Sequence, residues 1–488
     1  MYFNSLEYIL FLPLVTLIYF LIPKKVRYVW LLIVSYYFYM SWNAEYGLLL
    51  LASTLITYAS GLLIAHFKKR NSPVLAKTVL AVCAVLNIGA LVYFKYMNFI
   101  MENLSAITGA HFNSLDILLP VGISFFIFQA LGYAIDCYRG DIDAEKNPLK
   151  YALFVSFFPQ LVAGPIERSK NLLTQIRKPT GFDADNCKNG LKKIAWGLLL
   201  KMVIADNLAI IVNRVYANYT AYSGIIIVLA TALFAFQIYC DFSGYSIIAL
   251  GSAQILGFKL MRNFDSPYMA TNIRNFWRRW HISLTTWFTD YLYKPLGGNR
   301  KGKTRQLINT MIVFLVSGIW HGASWTFVIW GALNGIFIVI HSLTQNFRTN
   351  VYTKLKINTD SFGHRFIAVT LNFFIVCFTW LFFRAETLSD AAGMIKHSLS
   401  TIGYKEIFSG ALWQNLFQSP VEACAVLLSL ALLIFTDVLR YKKVDIESTF
   451  SRQNGLFRTI SYIALVLALI VFGIYGGNYE TQFIYFQF

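Results

Sequence analysis

Of the 488 residues, 57% are hydrophobic and only 14% charged, and the mean hydropathy is +0.54. Soluble domains carry about 25% charged residues, so a soluble globular protein is excluded and the composition is that of a polytopic membrane protein. The net charge of +18 is what cytoplasmic-loop cations facing anionic headgroups produce, and it gives no argument for nucleic-acid binding.

Apolar runs recur from Leu6–Pro23 to Ile460–Tyr475. They amount to about eleven spans or re-entrant segments, several long enough for a hydrocarbon core of roughly 30 Å. The first run carries Glu7 where a secretory leader would carry basic residues, and Lys24, Lys25 and Arg27 follow it. It therefore reads as a retained span with its C-terminal end in the cytoplasm. The alternation continues: Asn43–Glu45 lacks cations, His66–Arg70 is basic, Met101–Asp116 leans acidic and Arg168–Lys178 is basic again. The basic loops Lys259–Arg279 and Arg300–Arg305 are predicted on the cytoplasmic side as well. Six cysteines are scattered without a CxxC or metal-ligand spacing, so neither a disulfide framework nor a metal site is expected.

Residues 1–98 read as four conventional spans and residues 366–488 as three more. Residues 117–345 are different, because Pro, Gly and charged residues interrupt their apolar runs. Phe157–Glu167, FFPQLVAGPIE, sets two prolines, Gly164, Gln160 and Glu167 among apolar neighbours. Broken helices at membrane depth are tolerated where protein buries them or where they line a cavity. The site is therefore expected in this middle region of a single integral domain, 1–488. The fold class predicted is all-α, a polytopic helix bundle with re-entrant segments.

Four constellations carry chemistry. His321 lies in LVSGIWHGASWTFVIW (Leu315–Trp330), an apolar run where a titratable group is costly and rarely idle. Ser317, Gly318, Gly322, Ala323 and Ser324 around it allow another helix or a substrate to approach closely. The apolar run leading to it begins near Thr310, which puts His321 roughly 15 Å into the membrane from that end. His281 lies forty positions upstream beside Trp280 and Arg279. The two together suggest a general base and a second group that polarises the reacting atoms; the bland alternatives are a helix-packing histidine and an interfacial one. Without a nearby carboxylate or cysteine set they make an incomplete metal-ligand list. Asp241, in QIYCDFSGYS (Gln237–Ser246), is a buried carboxylate that either orients a histidine, binds a cation, or joins two helices. Arg274, Arg278 and Arg279 among aromatics read either as a dock for donor phosphates or as an interfacial anchor. Pro295–Arg300 is a turn that lacks the features of a phosphate loop.

These words together resemble the membrane-bound O-acyltransferases, in particular their bacterial polysaccharide-acetylating branch. The resemblance rests on FFPQLVAGPIE, QIYCDFSGYS, RNFWRRWHISLTTWFTDYLYKPLGGNR (Arg274–Arg300) and SGIWHGASWTFVIWGALNG (Ser317–Gly335). FTWLFFRAETLSDA (Phe378–Ala391) and the terminal FIYFQF (Phe483–Phe488) extend it over nearly the whole chain. It implies that His321 is the essential residue and His281 the second site position, with Arg278, Arg279, Asp241 and Asp290 as candidate substrate-binding residues. It also implies transfer of an acetyl group from acetyl-CoA, with no bound cofactor, toward an exported polysaccharide. An extracytoplasmic serine esterase-like partner and a bacterial cytoplasmic membrane location complete that expectation. Ile247 and Thr289 depart from the branch's usual Asp and Arg; the first removes a buried carboxylate and weakens any role for the Asp241 neighbourhood, and neither touches the histidines. Two alternatives stand beside this reading: D-alanyl transfer to teichoic acid from a carrier-protein thioester, and a proton-coupled transporter or flippase using His321 and Asp241 as relays.

Overall fold

The structure, a computed structural model, describes residues 1–162, 164–475 and 483–484, so Ala163 of FFPQLVAGPIE and the end of the terminal FIYFQF word lie outside the described residues. Every regular element among the described residues is helical. Among the described residues, eight helices have the length and hydropathy to cross a membrane, from Ala44–Lys69 to Gly455–Phe472, and Leu6–Leu21 is a shorter apolar helix. The chain is thus an all-α, multi-pass membrane protein, and its exposed surface is correspondingly rich in Leu, Ile, Val and Phe. That pattern inverts the soluble rule because lipid replaces water as the outer solvent.

The helices cluster into two compact units. Within the described residues, one comprises Met1–Gly197 with Tyr245–Arg262, and the other comprises Leu198–Gly244 with Asn263–Ile484. In the first unit the N-terminal region forms the helices Leu6–Leu21, Arg27–Met40, Ala44–Lys69 and Pro73–Leu91, of which the third and the fourth, the latter continued to Thr108, have membrane-spanning length and hydropathy. The FFPQLVAGPIE segment is interrupted as its prolines require. The helix Pro148–Ser156 stops before Phe157, and a short turn Phe158–Leu161 follows with Pro159 near its start, where a missing N–H costs nothing. The described residues of the break are all buried, and side chains satisfy backbone groups there: the Gln160 amide donates to the Phe154 carbonyl at 3.1 Å. Glu167 accepts from the Met261 backbone N–H and from the Asn171 amide.

In the second unit the predicted interruptions are only partly present. Asp241, Ser243 and Gly244 lie inside one unbroken helix of 32 residues, Gly224–Ile255. Nothing in QIYCDFSGYS breaks it, because the segment has no proline and its hydroxyls can bond back to the preceding turn. The real irregularity lies between Phe258 and Arg300, where short helices Ile273–Trp277 and Ile282–Phe288 alternate with turns. After it the helix Gly302–His321 ends on His321, and Trp325–Leu343 returns from it. The first helix has a polar opening turn, Gly302–Gln306, before its apolar part.

The hairpin of those two helices is tight for a steric reason. A Cβ placed on Gly318 would stand 2.4 Å from the Phe327 carbonyl oxygen and 3.1 Å from the Gly331 Cα. On Gly331 it would meet the Phe314 carbonyl oxygen at 2.4 Å. The small residues flanking His321 do admit another helix, as their type suggested, and it is the one that directly follows in the chain.

Candidate active site

His281 and His321 reach one place from different elements of the second unit. His321 is the last residue of its helix, and Gly322 then turns to extended backbone. His281 caps the helix Ile282–Phe288 with a left-handed backbone, φ 44° and ψ 55°. Both side chains are buried, at 3% and 1% exposure. Trp320 neighbours both, its ring centroid 6.1 Å from that of His281 and 5.0 Å from that of His321. The two imidazole centroids are therefore at most about 11 Å apart.

The walls are aromatic. His321 meets the Trp330 ring edge-on at 4.8 Å and the Phe383 ring at 5.5 Å. His281 meets Phe242 at 4.7 Å. Trp330 stacks on Trp380, and Trp380 packs against Trp280 at 5.0 Å. Such a lining excludes water and raises the strength of every polar interaction within it. Burial pushes the His281 ring down to about 3 from its usual 6.5. At physiological pH it is thus neutral, with one nitrogen to donate a proton and one to accept.

The unusual backbone of His281 is held from Asn263. The Asn263 carbonyl accepts from the Ile282 N–H at 2.9 Å, and its side-chain oxygen accepts from the Ser283 hydroxyl at 2.6 Å. A non-glycine residue in the left-handed region costs about 1–2 kcal/mol, a strain that persists where surrounding bonds impose it and that clusters at functional sites. This yields a test that separates ring from backbone. His281→Gly removes both the imidazole and the strain, whereas His281→Ala removes only the imidazole. Thermal unfolding should find the glycine variant at least as stable as the alanine one, with acyl transfer severely reduced in both. An active glycine variant would show that the ring has no chemical task.

The other predicted residues have diverse surroundings. Asp241 does not orient a histidine through any described hydrogen bond; it binds a cation. Its Oδ1 lies 2.7 Å from the Lys201 ammonium, which also pairs with Asp206 at 2.8 Å. The other Asp241 oxygen, Oδ2, accepts the Ile484 backbone N–H at 2.8 Å. Lys201 and Asp206 face the same way because Leu199–Ala205 forms a π-helical turn, in which the Asp206 N–H bonds to the Lys201 carbonyl. A turn closing on i+5 puts those two side chains on one face, whereas an α-helix would splay them. Arg279 is committed to structure: it donates to the Asp265 carbonyl at 2.8 Å and to Asn275 at 2.7 Å, and it lies over the Tyr441 ring. Arg278 is exposed, and the Asp290 carboxylate pairs with Lys294 at 2.6 Å.

Sequence reasoning passed over Lys201, Asn263 and Trp320. Lys201 had a readable signal, a cation within the apolar run GLLLKMVIAD (Gly197–Asp206), under the same rule that singled out His321. Asn263 and Trp320 had none, since their importance is one of spatial neighbourhood.

The model of the membrane-bound O-acyltransferase family matches residues 143–384, an interval that holds both histidines, Lys201 and Asp241. Over its full length the chain is similar to "Probable alginate O-acetylase AlgI" of Pseudomonas putida, at 36% identity covering 98% of each chain. It is 37% identical to the peptidoglycan O-acetyltransferase of Helicobacter pylori over 77% of this chain and 73% of that one. Similarity to the teichoic acid D-alanyltransferase of Bacillus subtilis is lower, 27% over 54% of this chain and 69% of the other.

Proposed function

Because this chain belongs to the membrane-bound O-acyltransferase family and is an O-acyltransferase, we propose that it carries an acetyl group from cytoplasmic acetyl-CoA toward an exported polysaccharide in the bacterial cytoplasmic membrane. The family rules out the transporter reading as the chain's primary activity. What supports acetyl over D-alanyl transfer is coverage: the O-acetylase relatives align over far more of the chain than the D-alanyltransferase. The observation that carries the mechanism is the meeting of two buried histidines on Trp320 in a dry aromatic setting.

In the proposed reaction the acceptor is a hydroxyl, on the polymer or on a serine of an extracytoplasmic esterase-like partner. The His321 imidazole takes the hydroxyl proton as the oxygen attacks the thioester carbonyl. The neutral His281 ring donates its N–H to the oxygen that becomes negative in the tetrahedral intermediate. Collapse breaks the carbon–sulfur bond, and the thiolate leaves with the proton held by His321. The transferred acetyl group ends as an ester and free CoA is released, with no proton gained or lost overall. Arg278, exposed three residues before His281, remains available to the donor's phosphates, whereas Arg279 is occupied.

Sidedness is the test. Cysteines at Asn43 and Asn103 should react with an impermeant thiol reagent from outside, and one at Lys69 should not. In sealed vesicles of that orientation, acetylation of acceptor on the outer face should require acetyl-CoA inside. Equal transfer with donor and acceptor both outside would sink the proposed direction.

A further inference from the structure

At the end of the second unit's hairpin opposite His321, cations gather around one hydroxyl. Ser342 is buried at 4% exposure, and its oxygen accepts from the Lys303 ammonium at 2.7 Å and from the Arg274 guanidinium at 3.4 Å. Arg348 donates to the His341 carbonyl at 3.0 Å and to the Thr344 hydroxyl at 2.9 Å. Among the described residues, none of Arg274, Lys303 and Arg348 has a carboxylate partner. Three like charges brought together without a counter-ion repel one another, and the arrangement is stable when an anion enters it.

Position identifies the anion's source. Lys303 is in the polar first turn of Gly302–His321, and Ser342 is one residue from the end of the membrane-length helix Trp325–Leu343. Both are where a helix leaves hydrocarbon for headgroups. Leu343 at the helix end and, toward the membrane interior, Ile340 and Ile336 are 60%, 49% and 42% exposed, and their spacing puts them on one helix face. A phosphate on the cations would thus have an apolar track for acyl chains beside it. The eighteen residues from Lys303 to His321 rise about 27 Å, beyond what a pantetheine arm anchored at the cluster can reach.

We propose that Arg274, Lys303 and Arg348 form a binding site for the headgroup phosphate of an anionic phospholipid, with an acyl chain along Ile336, Ile340 and Leu343. The site is separate from acyl transfer and does not rest on the acetyl reading. Basic pockets between helices on the cytoplasmic side recognise lipid headgroups in this way.

The probe is phosphatidylglycerol in phosphatidylcholine nanodiscs holding the full chain, with native mass spectrometry of the released protein. The wild type should retain phosphatidylglycerol selectively. The triple variant R274Q/K303Q/R348Q should bind it on the order of a hundredfold more weakly, while K77Q/K188Q/K396Q, which removes three exposed lysines elsewhere, should retain it. Equal retention by the first triple variant overturns the proposal. A second measurement needs no substitution: a phosphatidylglycerol analogue with a photoreactive headgroup should crosslink the wild type at residues 274, 303 and 341–348, and labelling confined to other segments overturns it. Soluble acetyl-CoA distinguishes the sources. If it displaces the lipid at low concentration and acetyl-dephospho-CoA does not, the phosphate belongs to the nucleotide and the lipid assignment falls.

Discussion

His321→Ala is expected to lower acyl transfer by about 10²-fold or more, the scale of a lost general base, while the protein inserts and purifies normally. The imidazole is enclosed by Trp320, Trp330 and Phe383, so its removal also leaves a cavity. His321→Gln retains most of the volume and should be inactive to the same degree, with thermal stability closer to that of the wild type. The measurement is acetate incorporated into polymer by membranes holding equal amounts of each variant. Near-normal incorporation by either variant would remove the base assignment.

Lys201→Met is expected to destabilise the second unit by about 3–5 kcal/mol, the penalty for leaving buried charge uncompensated. Lys201 is 1% exposed, with Asp206 and Asp241 both on its ammonium. Removal of that one cation leaves two adjacent carboxylates, one of them also holding the Ile484 backbone. Thermal unfolding in detergent reads the loss. The triple change Lys201→Met, Asp206→Asn, Asp241→Asn should recover much of it, since amides need no counter-ion. A Lys201→Met protein as stable as the wild type would mean that the triad does not hold the helices together. Activity may be read in the same preparations: Asp241 is next to Phe242, which packs on His281, so loosening the triad should also reduce transfer.

The membrane class and the helical fold were legible in the chain, and the two histidines stood out as candidates, because each depends on local cost. A long apolar run has no soluble use, and an imidazole or carboxylate within one demands a reason. The same arithmetic located the break at Phe157–Glu167, where proline removes a donor whatever the context. It did not say whether QIYCDFSGYS stays regular; it forms part of a continuous helix, because polar side chains alone do not break a helix whose backbone bonds remain intact.

Which groups share a partner could not be read that way. Arg279 looked suited to a donor's phosphates, yet it ties down Asp265 and Asn275; Arg274, an equal in sequence, faces Ser342 with Lys303. Asp241 was expected near a histidine or a cation, and only the π-helical turn at Leu199–Ala205 aims Lys201 and Asp206 at it. The sequence by itself therefore determined the solvent, the secondary structure and the costly residues, since each of these is decided by a residue and its near neighbours. Tertiary structure alone decided that His281 and His321 share Trp320 as a neighbour, because pairing across forty positions depends on how helices close on one another at Gly318 and Gly331, and loop closure leaves no periodic trace in the chain.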